Sequence, residues 1–283
     1  MRTAAASAIA VLFAVCLAFY WLRHSASDRP AGASAVPAVP ATVPAEPPPV
    51  AAPGTKPPAP SPVPTPAPPA PEVEPPALTE YKGRVIAQTM HWKGAPWLQR
   101  KTREEEERGG LMRTQLEVKP GQTACDLGSG DGYHTLWLAA QVGETGRVYA
   151  VDIQQEMLDM LEKRAAAAGL KNIELVHGRL WDPLLPPNSQ DLILLVDVYH
   201  EFSHPEHMLR ALRTALKEHG RMVLVEFRSE DPKVPIKPEH KMSKEQILQE
   251  IPPMGFKLVK EFDGLPWQHL MFFERADPAS AAP

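Results

Sequence analysis

The sequence predicts an α/β fold, in which a helical cap precedes a doubly wound, mostly parallel β-sheet with an antiparallel edge strand. Strand-like apolar segments alternate with helical segments through the last two thirds of the chain, as in doubly wound sheets. The segment Asp191–Asp197 is almost continuously apolar, which is typical of a strand buried on both faces. The stretch Ala124–Gly132 joins a strand to a helix through a glycine-rich turn, where the backbone can approach a ligand closely.

The composition limits what surrounds this fold. The 283 residues include 33 prolines, too many for an ordinary globular chain, so part of the chain is expected to be non-globular. The net charge of −4 argues against a dedicated nucleic-acid-binding protein, which would show a basic surface. The two cysteines, Cys16 and Cys125, cannot form a disulfide framework and do not indicate a redox compartment.

The first 24 residues are predicted to form a membrane anchor. The run Thr3–Leu22 is uncharged and apolar, and a helix needs roughly 20 such residues to cross a bilayer. Tyr20 and Trp21 stand near its end, where interfacial aromatic residues are common. The alternative is a signal peptide cleaved near Ser25–Ser27. An anchor predicts a single-pass, membrane-bound protein, and cleavage predicts a periplasmic or secreted one.

The next segment, residues 25–77, is rich in proline and alanine. Because proline fixes φ and removes the backbone donor, neither a helix nor a sheet can propagate, and we expect a disordered, extended linker. The folded domain is predicted over residues 78–275, and residues 276–283 are predicted to be a flexible tail.

The cap is predicted to contain one helix, Trp97–Gln115. Its charged run, Arg103–Arg108, places opposite charges at i,i+4 spacing and indicates a solvent-exposed face. The pair Gly109–Gly110 is a potential break in this helix.

The later elements are predicted from apolar runs and from helix-end signals. Gly169 caps one helix, Pro205 stands in the first turn of another, and Ser243 begins a capping box. Pro252 and Pro253 end that last helix. The predicted elements after the glycine-rich turn are the helices Tyr133–Ala140, Gln154–Ala168, Pro205–Leu216 and Ser243–Glu250 and the strands Val148–Asp152, Ile173–Val176, Asp191–Asp197, Arg221–Phe227, Lys257–Phe262 and His269–Glu274.

Three glycines at alternate positions, Gly128, Gly130 and Gly132, follow Asp126 at the end of the first core strand. A dinucleotide site has the different spacing G-x-G-x-x-G, which makes a dehydrogenase a distant alternative. Asp152 ends the second core strand. A carboxylate there suits a ribose diol, because it accepts hydrogen bonds from both hydroxyls.

This D-x-G-x-G-x-G pattern, with the acid at Asp152, resembles motif I of the class I S-adenosylmethionine (SAM) methyltransferases, and the resemblance extends from about Leu111 to Glu274. It implies a Rossmann-like fold, SAM as cofactor, no resident metal, and a small-molecule or lipid-like acceptor, as in quinone and sterol methylases. Where many members have a Gly-Asp pair that binds adenine, this chain has Arg179. Either Asp182 binds the adenine instead, or Leu180 and Trp181 cover the ring. The implied cofactor-binding residues are Asp126, Gly128, Gly130, Gly132, Asp152, Asp182 and Asp197.

The segment from Asp197 to His204 follows the fourth core strand and supplies the candidate catalytic residues. His200 could accept a proton from the acceptor, Glu201 could do the same or hold a cationic acceptor, and Tyr199 would line the methyl-donor side. Alternatively, His200 only contacts the loop backbone, since methyl transfer needs alignment more than acid–base catalysis. His200–His204 also fits the zinc-protease pattern H-E-x-x-H. That pattern requires a helix, whereas a strand precedes it here and Pro205 follows it.

Candidate acceptor-binding residues are His91 and Trp97 in the cap and His240 after the fifth core strand. The alternative is that the cap tryptophans only pack against the domain. Two function classes remain: a methyltransferase, or a membrane-tethered, non-catalytic binding protein on a methyltransferase fold. The sequence does not indicate an oligomeric state.

Overall fold

The computed structural model describes residues 73–276. The predicted membrane anchor, most of the linker and most of the tail lie outside these residues, so those predictions stay untested. Among the described residues, the structure contains no helix with both the length and the apolar character needed to cross a membrane.

The cap begins with a short β-hairpin and continues in short helices. The predicted single helix Trp97–Gln115 is wrong, because the chain turns after Leu98 and again at Arg108, whose φ is +51°. The elements of the cap are β1 (Glu80–Tyr81), β2 (Arg84–Val85), α1 (Ala95–Leu98), α2 (Arg103–Glu107) and α3 (Gly109–Leu116).

The charged run in α2 is not a solvent-exposed face throughout. Arg103 and Glu107 are buried, with Arg103 Nε 2.8 Å from Glu107 Oε2, and Arg100 also forms an ion pair with Glu107. The pairing lets both charged groups leave water. The spacing of the charges predicted their pairing but not their burial.

The core is the predicted doubly wound sheet, with helices between its strands. Its strands are β3 (Thr123–Leu127), β4 (Arg147–Asp152), β5 (Ile173–His177), β6 (Gln190–Val196), β7 (Leu216–Phe227), β8 (Phe256–Phe262) and β9 (Gln268–Arg275). Its helices are α4 (Thr135–Val142), α5 (Gln155–Ala167), α6 (Pro205–Ala215) and α7 (Lys244–Glu250).

Within residues 73–276, these seven strands form one sheet in the order β5-β4-β3-β6-β7-β9-β8. The five strands from β3 to β7 are parallel, and β9 is antiparallel to both β7 and β8. The predicted fold class is therefore confirmed, with the antiparallel strand one place in from the edge. Strand order reverses at β3, which lies between β4 and β6, and ligands bind at such a switch point in open α/β sheets.

Strand β6 is buried on both faces, as its apolar run predicts. Ile193 and Leu195 pack into the apolar cluster on one face of the sheet, and Leu192 and Leu194 pack into the cluster on the other. This alternation follows the two-residue period of a strand. Because β6 packs on both of its faces, the position at which the following segment begins is fixed by the core.

Two predicted helix starts are confirmed, whereas the helix predicted at Tyr133–Ala140 spans Thr135–Val142. Ser243 Oγ accepts a hydrogen bond from the Gln246 amide at 3.0 Å, as a helix N-cap does. Pro205 is the first residue of α6, where its missing N–H costs nothing.

Candidate functional site

The carboxyl ends of the central parallel strands border a cavity of about 580 Å³. This volume lies within the roughly 300–1,000 Å³ typical of small-molecule sites. We name two parts of this lining. The glycine-loop side is Gly128, Gly130, Asp152 and Gln154, and the histidine side is His200, Glu201 and His240.

The glycine loop leaves no room for side chains at two positions. An added Cβ would lie 2.5 Å from Val198 Cγ2 at Gly128 and 2.7 Å from Leu98 Cδ1 at Gly130, and both glycines have positive φ. Val198 and Leu98 themselves line the cavity, so the loop backbone approaches it closely. Gly132 lies outside the lining, and its missing Cβ makes room for Leu161 of α5.

Asp152 ends β4 and lines the cavity although it is almost fully buried. Its Oδ2 accepts from the Gly130 amide and its Oδ1 from the Gln154 amide, both at 2.9 Å. Burial raises the pKa of Asp152. Because a carboxylate has about four acceptor positions, Asp152 retains the capacity for two more donors, which fits the predicted ribose diol.

Asp197 follows β6 and has a buried oxygen that lacks a partner. Its Oδ2 accepts from Gln268 Nε2 at 2.8 Å, while Oδ1 has no hydrogen-bond partner in the described part of the chain. Burial, then the nearby charges of Glu107 and Glu226, raise the pKa of Asp197 well above its usual value. A cationic ligand group would satisfy this oxygen, and the ammonium group of SAM is one, so the residues present fit the predicted cofactor.

Two other predicted cofactor residues lie outside the cavity lining. Asp126 is buried in β3 and accepts from Thr135 Oγ1 at 2.6 Å, and burial raises its pKa to about 6. Asp182 Oδ1 accepts from the Leu184 amide at 2.8 Å, whereas its neighbour Leu180 borders the cavity. The cofactor roles of Asp126 and Asp182 therefore stay predictions.

The histidine side brings together residues from two loops. His200 lies on the 3₁₀ turn Tyr199–Glu201 after β6, and its Nδ1 is 2.6 Å from Glu226 Oε2. Its Nε2 is 3.1 Å from His240 Nδ1 and 4.0 Å from Glu201 Oε1. The structure thus brings together three residues that the sequence had placed near the acceptor separately.

The electrostatics of this side follow from burial and from Glu226. Burial lowers the pKa of His200, but the charge of Glu226 and its hydrogen bond outweigh burial, so the pKa of His200 is raised overall. Burial raises the pKa of Glu201 to about 7. Burial and the neighbouring His200 lower the pKa of His240. The cluster therefore contains groups that exchange protons near neutral pH.

The remaining candidates are placed as follows. Trp97 lines the cavity and is half exposed, which is compatible with its predicted acceptor contact. His91 is exposed, lies outside the lining, and accepts from the Lys93 amide at 3.2 Å. Tyr199 is fully buried and donates to Glu250 Oε2 at 2.7 Å. The predicted roles of these three residues stay untested.

His204 does not join the histidine side. Its Nε2 is 2.7 Å from the Pro75 carbonyl oxygen, and its Nδ1 is 3.0 Å from Ser203 Oγ. Between His200 and His204 the backbone leaves the 3₁₀ turn and becomes extended at Phe202. This segment therefore lacks the helical geometry that the H-E-x-x-H pattern requires.

Sequence reasoning missed Glu226, Gln154, Arg103 and Glu107. Glu226 carried a usable signal: it is a carboxylate directly after the apolar run of β7, and a fully buried acid is rare without a partner. Gln154, whose Nε2 donates to the Met90 carbonyl at 2.9 Å, carried no such signal. Its contact depends on how the cap folds over the sheet.

Comparisons with known proteins agree with the observed fold. The sequence model of a family described as a methyltransferase domain matches residues 118–265. Demethylmenaquinone methyltransferases from Bacillus cereus (strain AH187) and Bacillus anthracis (strain A0248) are each 29% identical over 111 residues, which are 39% of this chain and 47% of theirs. The chain thus spans about half the length of these curated relatives.

Solved structures show the same fold. A SAM dependent methyltransferase from Aquifex aeolicus aligns with a TM-score of 0.63 at 23% identity, over 66% of this chain and 100% of that one. A putative type 11 methyltransferase from Sulfolobus solfataricus aligns with a TM-score of 0.50 at 18% identity, over 61% and 94%. At these identities the likeness concerns the fold.

Proposed function

Because the chain belongs to the methyltransferase-domain family, we propose that it transfers a methyl group from SAM to a small-molecule or lipid-like acceptor. One observation carries the proposal: the glycine-loop side and the histidine side line the same cavity. Bound SAM supplies an electrophilic methyl group on a sulfonium. Transfer then needs the acceptor's nucleophilic atom to be held in line with that methyl group.

The glycine-loop side and Asp197 together hold the cofactor in this proposal, through three features. Asp152 accepts from the ribose hydroxyls, and the Gly128–Gly130 backbone lies along the ligand. The unpartnered Asp197 Oδ1 pairs with the ammonium group. Asp197 Oδ1 is an acceptor without a partner among the described residues, and Asp152, Gly128 and Gly130 border the cavity that the ligand would fill.

On the histidine side, the acceptor's hydroxyl or amine gives its proton to His200. Glu226 orients His200 for this step, as a carboxylate orients a catalytic imidazole. Phe202, Met208 and Ile236 supply apolar walls nearby, which suit an organic ring or chain. The Bacillus relatives are named for demethylmenaquinone, which supports an organic acceptor here.

The acceptor enters through a second cavity in this proposal. That cavity is bordered by Arg84 and Val85 of the hairpin and by Lys237–Lys241, and it shares Glu201 and His240 with the first. Because the two cavities meet at the histidine side, an acceptor can reach Glu201 and His240 without crossing the glycine loop.

The test is a calorimetric titration of the full chain with SAM and with its demethylated product. Asp152→Ala removes two hydrogen bonds to a charged acceptor. One such bond is worth about 1.5–3 kcal/mol, or roughly 10–150-fold in affinity, so the loss of both should lower SAM affinity by more than the loss of one. Asp159→Ala removes an exposed carboxylate from α5 and should leave the affinity unchanged.

Each contrary outcome has a separate meaning. Unchanged affinity in Asp152→Ala would remove the ribose assignment. No binding of either ligand to the wild-type chain would contradict the proposed activity and support the non-catalytic binding protein.

A further inference from the structure

Three potential metal ligands of the histidine side lie close together. One ligand atom from each of His200, Glu201 and His240 lies within 4.8 Å of the other two. His200 and Glu201 come from the segment after β6, and His240 comes from the 3₁₀ turn Pro238–His240 between β7 and α7. Two imidazoles and one carboxylate are therefore held together by separate, folded parts of the domain.

Glu226 fixes which nitrogen of His200 is available. Its Oε2 is 2.6 Å from His200 Nδ1, and its Oε1 accepts from the Tyr199 amide at 2.8 Å. The proton of a neutral His200 therefore lies on Nδ1, and the lone pair of Nε2 is on the side of His240 Nδ1, 3.1 Å away. A carboxylate behind a histidine is the usual outer support of a metal ligand.

The spacing of the two histidines is close to that of neighbouring metal ligands. His200 Nε2 and His240 Nδ1 are 3.1 Å apart. In a tetrahedral site, ligands that each lie about 2.0–2.1 Å from one ion are roughly 3.3–3.4 Å apart. Glu201 Oε1 is 4.0 Å from His200 Nε2, and the ligand atoms of Glu201 and His240 lie within 4.8 Å of each other, so Glu201 needs to approach by up to about 1.5 Å to complete the set.

The local charge favours a cation. Glu201 and Glu226 contribute two carboxylates within the cluster. Arg84, which donates to the His200 carbonyl, is itself paired with Glu250. Beyond them, Lys237 and Glu239 adjoin His240 with opposite charges.

We propose that His200, Glu201 and His240 bind a divalent transition-metal ion, with Glu226 as the outer carboxylate. Two histidines and a carboxylate with an open position form the donor set of catalytic zinc and non-haem iron sites. All three ligands border the cavity, so the open position faces the acceptor. The inference rests on the proposed function and changes one step of it. With the ion on His200 Nε2, the ion's charge would lower the pKa of the acceptor's hydroxyl, and the proton would pass to water instead of to His200.

The test measures metal binding by the full chain, independently of activity. After chelator treatment, Zn²⁺ is titrated in competition with a chromophoric chelator, and Co²⁺ is added separately to record its visible absorption. We expect one equivalent of tightly bound Zn²⁺ and a Co²⁺ spectrum of nitrogen and oxygen ligation. Glu226→Gln should weaken Zn²⁺ binding about 10–100-fold, and His240→Ala should weaken it more.

The matched control is His219→Ala, which removes an exposed histidine from β7 and should leave Zn²⁺ affinity unchanged. Equal Zn²⁺ binding by wild type and His240→Ala, or an equal loss in His219→Ala, would overturn the site. Glu201→Gln gives a second check, since it should shift the Co²⁺ spectrum even if His240→Ala folds poorly.

A SAM titration of the same samples separates the two proposals. If the wild-type chain binds SAM but does not bind one equivalent of Zn²⁺, the metal site alone is overturned and His200 remains a metal-free proton acceptor. If the wild-type chain binds neither SAM nor Zn²⁺, the proposed function is overturned as well.

Discussion

On the glycine-loop side of the cavity, the ends of two adjacent parallel strands set the positions of the residues, whereas on the histidine side contacts between distant segments set them. Asp152 and Gly130 are 22 residues apart and share a hydrogen bond. His200 and His240 are 40 residues apart, and the Glu201 side chain accepts from the Met90 amide, 111 residues away. The first side therefore depends on the sheet, and the second depends on tertiary contacts.

The contacts that hold the histidine side converge on a buried ion pair. Arg84 donates from Nε to Glu250 Oε1 at 2.7 Å and from Nη1 to the His200 carbonyl at 3.0 Å. Glu250, which is fully buried, also accepts from Tyr199. A change at Glu250 should thus loosen the histidine side and leave the glycine-loop side in place.

The largest expected effect is that of Glu250→Ala on stability. Removing one member of a buried ion pair costs about 3–5 kcal/mol, because the other charge stays buried without a partner. The measurement is the free energy of unfolding of the full chain in urea. Glu245→Ala, an exposed position on the same helix, should change it by less than about 0.5 kcal/mol. Similar values for the two variants would show that Arg84 regains water and that the ion pair does not hold the histidine side.

The same contrast explains which parts of the molecule could be predicted from sequence. The glycine loop and Asp152 belong to a contiguous strand–loop–helix–strand pattern, so their spacing alone indicates a shared site. The pairing of His200 with Glu226 and His240 depends on the order of β6 and β7 in the sheet and on the loop before α7, which no local spacing encodes.

The cap shows most clearly what local sequence patterns do not predict. A run of glutamates beside Arg103 has the composition of an exposed helix, yet Arg103 and Glu107 are buried. Arg100, which precedes α2 in the turn after α1, is a further partner of Glu107. Helix propensity and charge spacing do not predict that turn.

The second prediction concerns the pH dependence contributed by Asp126, beneath the glycine loop. Its folded-state pKa of about 6 exceeds the roughly 3.9 of an unfolded Asp. Its stabilising contribution is therefore present below about pH 4 and is lost as the pH rises through 6. Relative to the non-titrating Asp126→Asn variant, the wild-type chain should lose up to about 3 kcal/mol between pH 4 and pH 8.

Urea unfolding at several pH values checks this difference. The groups that act on Asp126 include Thr135, Arg103, Asp152 and Arg113, and they remain in both chains, so the difference isolates Asp126. Asp159→Asn, at an exposed position on α5, supplies the control profile. A wild-type chain that gains stability over this range relative to Asp126→Asn would contradict the assignment, since Asp126 would then be ionised and stabilised by its partners.

The smallest expected effect tests how far the glycine-loop side extends toward the adenine ring. If Asp182 accepts from the adenine amine, Asp182→Ala removes one hydrogen bond to a charged acceptor, worth about 1.5–3 kcal/mol, and SAM affinity should fall roughly 10–150-fold. That loss is smaller than the one expected for Asp152→Ala, because Asp152 is the predicted ligand of two hydroxyls. Unchanged affinity with reduced stability would instead assign Asp182 to its turn, where it already accepts from the Leu184 amide. The adenine would then be covered by Arg179 and Leu180, which border the cavity.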